Sequence, residues 1–197
     1  MSSRRIRYAL PAAVVLGLGI VSFAIAATHG HGNGNGNGNG HDNGNVFTAS
    51  LNGHEETPAV HTKGTGNLTL TINADNTMSF TLTYSGLNSP ASIAHVHFGQ
   101  PDVPGGVVFW FCGGGTKPTA CPAGTTSTAT VTGTVAASDI LAPTGQGLTA
   151  GDLAGFVQEI RAGFAYANVH TSTSPAGEIR GQLSSNGRGH GNGDDDD

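Results

Sequence analysis

Three stretches of the chain alternate apolar or β-branched residues with polar ones at a period of two: NLTLTIN (67–73), TMSFTLTYSG (77–86) and STATVTGTVA (127–136). Successive side chains of a strand point to opposite faces, so this period belongs to a sheet with one face on a core. A helix cannot use it, because its faces recur every 3.6 residues. NADNT (73–77), between the first two stretches, is rich in residues that tolerate left-handed backbone and predicts a hairpin. Further strands are expected at 46–52, 92–98, 106–111, 164–170 and 177–183. One segment departs from the period. In TAGDLAGFVQEIRAG (149–163), Leu153, Phe156, Val157 and Ile160 fall at helical spacing, with Thr149 as the expected N-cap and Gly163 as the stop. Eight short strands, turns of Gly, Pro and Asn, and one helical crossover predict an all-β fold: a two-layer antiparallel, Greek-key-like β-sandwich with one short crossover helix. A closed barrel is the alternative.

The folding segment is shorter than the 197-residue chain. Arg4, Arg5 and Arg7 precede an apolar run from Tyr8 to Ala27, and Ala24-Ile25-Ala26 offers a small-residue cleavage site, so residues 1–26 are expected to be a secretory signal peptide. Residues 27–45 are almost wholly Gly, Asn and His, with nothing apolar to offset the entropy of ordering, and are expected to be a disordered linker. Residues 184–197 have the same composition and end in four aspartates, which predicts a disordered acidic tail. One domain remains, 46–183. An exported chain is secreted, periplasmic or cell-surface, with no membrane attachment after cleavage. In such a compartment Cys112 and Cys121, flanking the short loop GGGTKPTA, are expected to be disulfide-bonded. The net charge of −5 lies largely in the tail and leaves no basic stripe for a nucleic-acid backbone, so nucleic acid is not an expected partner.

The residues with metal chemistry are histidines. In SIAHVHF, His95 and His97 share a face with Ile93, while Ala94, Val96 and Phe98 share the other; the apolar side is expected on the core and the histidines outward. In FAYANVH, Tyr166, Asn168 and His170 fall together, and in GEIRGQL so do Glu178, Arg180 and Gln182. If these strands are neighbours, His95, His97 and His170 form a surface site for a metal. Imidazoles two apart on a strand converge on one ion, and a third from the next strand closes the set. Three neutral imidazoles suit copper, with zinc the lesser choice. Glu56 and Glu178 are candidate fourth or supporting ligands, and Asn168 and Arg180 candidate supporting residues. The mature N-terminus is a candidate for a second metal site, the alternative being that His29, His31 and His41 merely punctuate a flexible tract. Cleavage after Ala26 would leave Ala27-Thr28-His29, whose amine, two amides and His29 imidazole can wrap a square-planar Cu(II) or Ni(II).

Three segments carry a family resemblance: LNGHEETPAV (51–60), SGLNSPASIAHVHFGQPDVPGGVV (85–108) and YANVHTSTSPAGEIRGQL (166–183). Together they resemble the CHRD (chordin-type) domain, whose pattern runs Leu-x-Gly-x-x-Glu-x-Pro, Ala-His-x-His-x-Gly, Tyr-x-Asn-x-His-Thr and Gly-Glu-Ile-Arg-Gly-Gln. Glu56 and Pro58 match the first motif, with Ala59 where a second proline is common; Tyr166, Asn168, His170, Thr171, Gly177, Glu178, Arg180, Gly181 and Gln182 all match the last. The resemblance implies an exported all-β module and no particular activity. A more distant similarity is to the copper side of copper/zinc superoxide dismutases, which would place copper on His95, His97 and His170 and Arg180 near an anion position. The bridging histidine and the zinc cluster of those enzymes have no counterpart here.

The expectation is therefore an exported metal-binding module. The alternative is a non-catalytic extracellular interaction module, binding a protein or matrix partner, in which the His/Glu/Arg motif is structural. Catalysis is not expected, since there is no Gly-x-Ser-x-Gly, phosphate loop or glycosidase-like carboxylate pair. Copper-dependent redox chemistry such as superoxide dismutation is the form an activity would take.

Overall fold

The hairpin expected at NADNT is present. β2 (Thr65–Ile72) and β3 (Met78–Ser85) pair over eight rungs, from Thr65↔Ser85 to Ile72↔Met78. Asn73 N–H and the Thr77 carbonyl close the turn at 2.9 Å, and Asn76 takes the left-handed backbone at φ 58°. The structure is a computed structural model and describes residues 44–185. The expected signal peptide, His29 and nearly all of the linker and tail lie outside the described residues.

The remaining strands are β1 (Val46–Asn52), β4 (Ala91–Phe98), β5 (Gly106–Cys112), β6 (Ala129–Val135), β7 (Ala165–Thr171), β8 (Ile179–Gln182) and β9 (Ser184–Ser185). They form one antiparallel sheet in the order β5-β4-β7-β8-β1-β2-β3-β6, with β9 on β1. Its two four-stranded halves, β5-β4-β7-β8 and β1-β2-β3-β6, are joined between β8 and β1 by one rung, Asn52↔Arg180. β9, one residue beyond β8, adds two more rungs on β1, Thr48↔Ser184 and Phe47↔Ser185. At the far side the sheet nearly closes. Phe111 of β5 lies 4.7 Å from Phe80 of β3, ring to ring, and Leu141, just past β6, donates its N–H to the Val108 carbonyl on β5 at 2.8 Å. The result is the expected all-β sandwich, curled most of the way to a barrel.

Leu68, Leu70, Met78, Leu82, Val96, Phe109, Val169 and Ile179 fill the interior, each from the apolar side of its strand. Fully burying such a side chain contributes about 1.5–3 kcal/mol. The disulfide Cys112–Cys121 is formed. The helix, α1 (Leu153–Ala162), buries Leu153, Phe156, Val157 and Ile160. Its stop is Gly163, in the left-handed conformation at φ 87°. Its cap is not Thr149. Gly151 turns the chain at φ 84°, so the helix starts later, and Asp152 Oδ1 accepts the Gly155 N–H at 2.8 Å.

A candidate metal centre built from three histidines

β4, β7 and β8 are neighbours, so their outward residues align in rows. One row reads Trp110, His95, Asn168, Arg180, Asn52 across five strands. The next sets His97 beside Tyr166 and Gln182, and His170 stands beside Ile93. The period-two reading thus assigned the faces of these strands correctly. It did not foresee what covers them. The histidines are not on the surface: His95 is 3 % exposed, His97 9 % and His170 8 %. Loops from three parts of the chain fold over this side of the sheet, and the residue contacts below show how each is held.

His97 Nδ1 bonds the Gly105 carbonyl at 2.8 Å, and His170 Nδ1 bonds the Pro175 carbonyl at 3.0 Å. A carbonyl only accepts, so in both rings Nδ1 carries the proton and Nε2 presents a lone pair. Both Nε2 atoms are buried and meet no donor; His95 Nδ1 is in the same condition. The rings crowd together, with centroids 4.6 Å apart for His95–His97 and for His95–His170. One nitrogen from each of the three lies within 4.8 Å of the other two. Burial holds all three imidazoles neutral. It pushes His95 down to about 2, with His97 and His170 adding repulsion; it pushes His97 down to about 4 against the pull of its Gly105 carbonyl bond, with His170 and Arg180 adding repulsion; and it lowers His170 against the pull of its Pro175 carbonyl bond.

The ring of Tyr166 stacks flat on His97, 4.5 Å between centroids, and Arg180 lies on Tyr166 with its guanidinium carbon 3.6 Å from the ring centre. The Tyr166 hydroxyl accepts the Gly105 N–H at 3.0 Å, so Tyr166 fixes both the ring of His97 and the residue whose carbonyl orients it. Arg180 is 2 % exposed and donates to Thr57 Oγ1, the Gln100 carbonyl and the Val103 carbonyl. It clamps the 99–105 loop and the Thr57 segment onto the sheet. A guanidinium committed in this way does not guide anions from solvent, so the anion position suggested by the superoxide dismutase likeness is not realised, and that likeness is not confirmed.

Glu178, fully buried, accepts from Thr62 Oγ1 at 2.6 Å, the Asn88 N–H at 2.7 Å and Thr171 Oγ1 at 2.6 Å. None of these partners is a histidine, and the carboxylate ties together segments remote in sequence. Glu56 is also buried; its Oε2 accepts from Asn168 Nδ2 at 3.4 Å. Among the described residues neither carboxylate joins the group of converging nitrogens.

Trp110 was not anticipated as part of the site. It meets His95 edge to face at 4.8 Å. Its other side is packed so closely by Gly114 and Gly115 that a Cβ at either would collide with the indole. Two register irregularities between β4 and β5 bring Trp110 opposite His95. A bulge breaks period-two counting, so no local signal in GVVFWF could have shown it.

The CHRD domain family matches residues 47–183. No curated protein and no solved structure matches the chain. The match covers every motif quoted above and both halves of the sheet up to Leu183, and the chain belongs to the CHRD domain family.

Proposed function

We propose that this extracellular-type module is a copper-binding protein, holding one ion on the Nε2 atoms of His97 and His170 and one ring nitrogen of His95. The observation that carries the reading is the group of buried, unpartnered ring nitrogens: the Nε2 lone pairs of His97 and His170 and the unpartnered Nδ1 of His95, on rings whose nitrogens lie within 4.8 Å of one another. Such an arrangement costs free energy unless something electron-accepting sits among them. A proton is a poor candidate, because burial disfavours the charged ring. A metal ion fits. Bonds of about 2.0 Å in tetrahedral geometry set ligand nitrogens about 3.3 Å apart, a closure small ring rotations supply. The donor set is nitrogen only, and the Irving–Williams order places Cu(II) above Zn(II) for such ligands. Gly105 and Pro175 carbonyls do for their histidines what an outer partner does in metal sites generally, fixing tautomer and ring angle.

The engagement of Glu178 and Arg180 favours one part of the alternative reading, that the GEIRGQ segment is structural. A protein or matrix partner remains compatible with the metal reading, since the clamp residues are buried and the loops they hold are not.

The test is metal analysis and Cu(II) titration of protein purified without a histidine tag, read by fluorescence of the single tryptophan beside His95. His97→Ala is expected to lower copper affinity at least tenfold. Because the ring is buried and stacked, the same variant should also lose stability, by about 1–3 kcal/mol in the metal-free state. Unchanged copper affinity in that variant would refute the site.

A further inference from the structure

Two buried oxygens beside the histidine cluster also lack a donor: Glu56 Oε1 and Asn168 Oδ1. Both border the space above the Gly177 backbone, as does Asn168 Nδ2. A Cβ built on Gly177 would stand 2.5 Å from the first and 2.7 Å from the second. The other ends of the two groups already meet, with Asn168 Nδ2 donating to Glu56 Oε2. A carboxyl and an amide joined through Asn168 Nδ2 and Glu56 Oε2, each with its other oxygen buried and unpartnered, could close a hydrogen-bonded ring with one more proton. If Glu56 were ionised, two acceptors would be left opposed in a buried site, which is costly. A metal ion between them is disfavoured by Arg180, whose positive charge acts on this carboxyl.

We propose that Glu56 is a neutral acid whose Oε1–H donates to Asn168 Oδ1, and that this acid–amide pair surrenders its proton when a cation enters the three-histidine cluster. The geometry gives one proton two otherwise orphaned atoms to satisfy. Burial acts in the same direction, raising Glu56 to about 7 against Arg180 from β8, the Asn168 amide from β7 and the Thr57 backbone; the Tyr166 hydroxyl also lies within its electrostatic reach.

The release half rests on the metal reading. A cation held by three neutral ligands in a buried place carries its full charge, and a nearby carboxyl is then favoured as its anion. Glu56 is joined by a hydrogen bond to Asn168, the cross-strand neighbour of His95. Metal binding ordinarily expels protons from the ligands themselves. Here the Nδ1 protons of His97 and His170 are held by the Gly105 and Pro175 carbonyls, and their Nε2 atoms already present lone pairs. The acid next to the cluster that holds a proton in this reading is Glu56, joined to it through Asn168.

Two measurements on the full domain separate the parts. In metal-free protein carrying carbon-13 at glutamate carboxyls, one carbon should titrate near neutrality and vanish in Glu56→Gln, whose amide can donate to Asn168 Oδ1 as the acid does and should keep the fold. A Glu56 carbon that titrates in the ordinary carboxylate range overturns the acid–amide pair. Calorimetric Cu(II) titrations at pH 6.5, in buffers of different ionisation enthalpy, then count protons. The wild type is expected to release about one proton more than Glu56→Gln, any contribution from His170 being common to both. Equal release overturns the coupling. Absence of copper binding overturns the metal reading and the coupling with it, and the carbon titration still decides the pair.

Discussion

His97 is pinned by its own hydrogen bond, by the Tyr166 ring and, through that ring, by Arg180. Held in this way its Nε2 stays among the other imidazoles and away from any proton donor, and acid should therefore be unfavourable to the metal-free protein. The sign follows from the depressed folded-state values. His95 and His97 bind protons less readily folded than unfolded, so their contribution is fully present above the unfolded value near 6.5 and is lost as pH falls toward about 4 and then about 2. Glu56 works oppositely: raised from 4.5 to about 7, it favours the folded state below 4.5 and gives up that contribution as pH rises to 7. Midpoints of urea unfolding between pH 4 and 8 should show both trends, and Glu56→Gln should leave only the histidine one. A wild type and variant with parallel profiles would contradict the Glu56 part. Glu178 makes a sharper case. Removing the carboxylate with Glu178→Ala strands Thr62, Thr171 and the Asn88 amide, and should cost about 3 kcal/mol or more, measurable by the same unfolding midpoints.

The β4–β5 hairpin shows where reading by element succeeds and fails. Its core side was legible, because Ala94 and Val96 alternate with polar residues and both are fully buried. The site side was not. The histidines are oriented by Gly105 and Pro175, and Arg180 and Asn168 beside them are held by Thr57 and Glu56, residues in loops that no local period describes; Trp110 arrives through irregularities that defeat counting. The same limit explains Asp152, since the glycine turn that delays the helix is a backbone choice rather than a pattern of hydrophobicity. The disulfide was legible from spacing. Opening it should release Gly114 and Gly115 from the indole of Trp110. The chain-entropy account gives roughly 2–3 kcal/mol for a loop of this length. Cys112→Ala/Cys121→Ala is expected to show that loss, together with red-shifted tryptophan emission. Unchanged emission would mean the glycine turn holds its place without the bond.

For the molecule as a whole, the thin junction at Asn52↔Arg180 and the near closure opposite define two unlike sides of the sandwich. Arg180 belongs to both the junction and the site, since its backbone supplies the rung and its side chain clamps the loops over the histidines. Sheet order could not be read from the sequence, because β8 pairs not only with its chain neighbour β7 but with β1, well over a hundred residues away. On the far side β5 and β6 end the strand order, and Lys117 lies across the gap between them, its ammonium donating to the Thr134 carbonyl and to Asp139 at 3.0 Å. An unpaired strand invites another chain to extend the sheet, and a lysine laid along it discourages the visitor by charge and by occupying an acceptor. Lys117 is thus placed to guard this edge against aggregation, where the fold stops just short of sealing itself. Lys117→Ala should leave the unfolding midpoint nearly unchanged while producing concentration-dependent association by light scattering; a strictly monomeric variant at high concentration would show that the curvature of the sheet alone keeps the edge private.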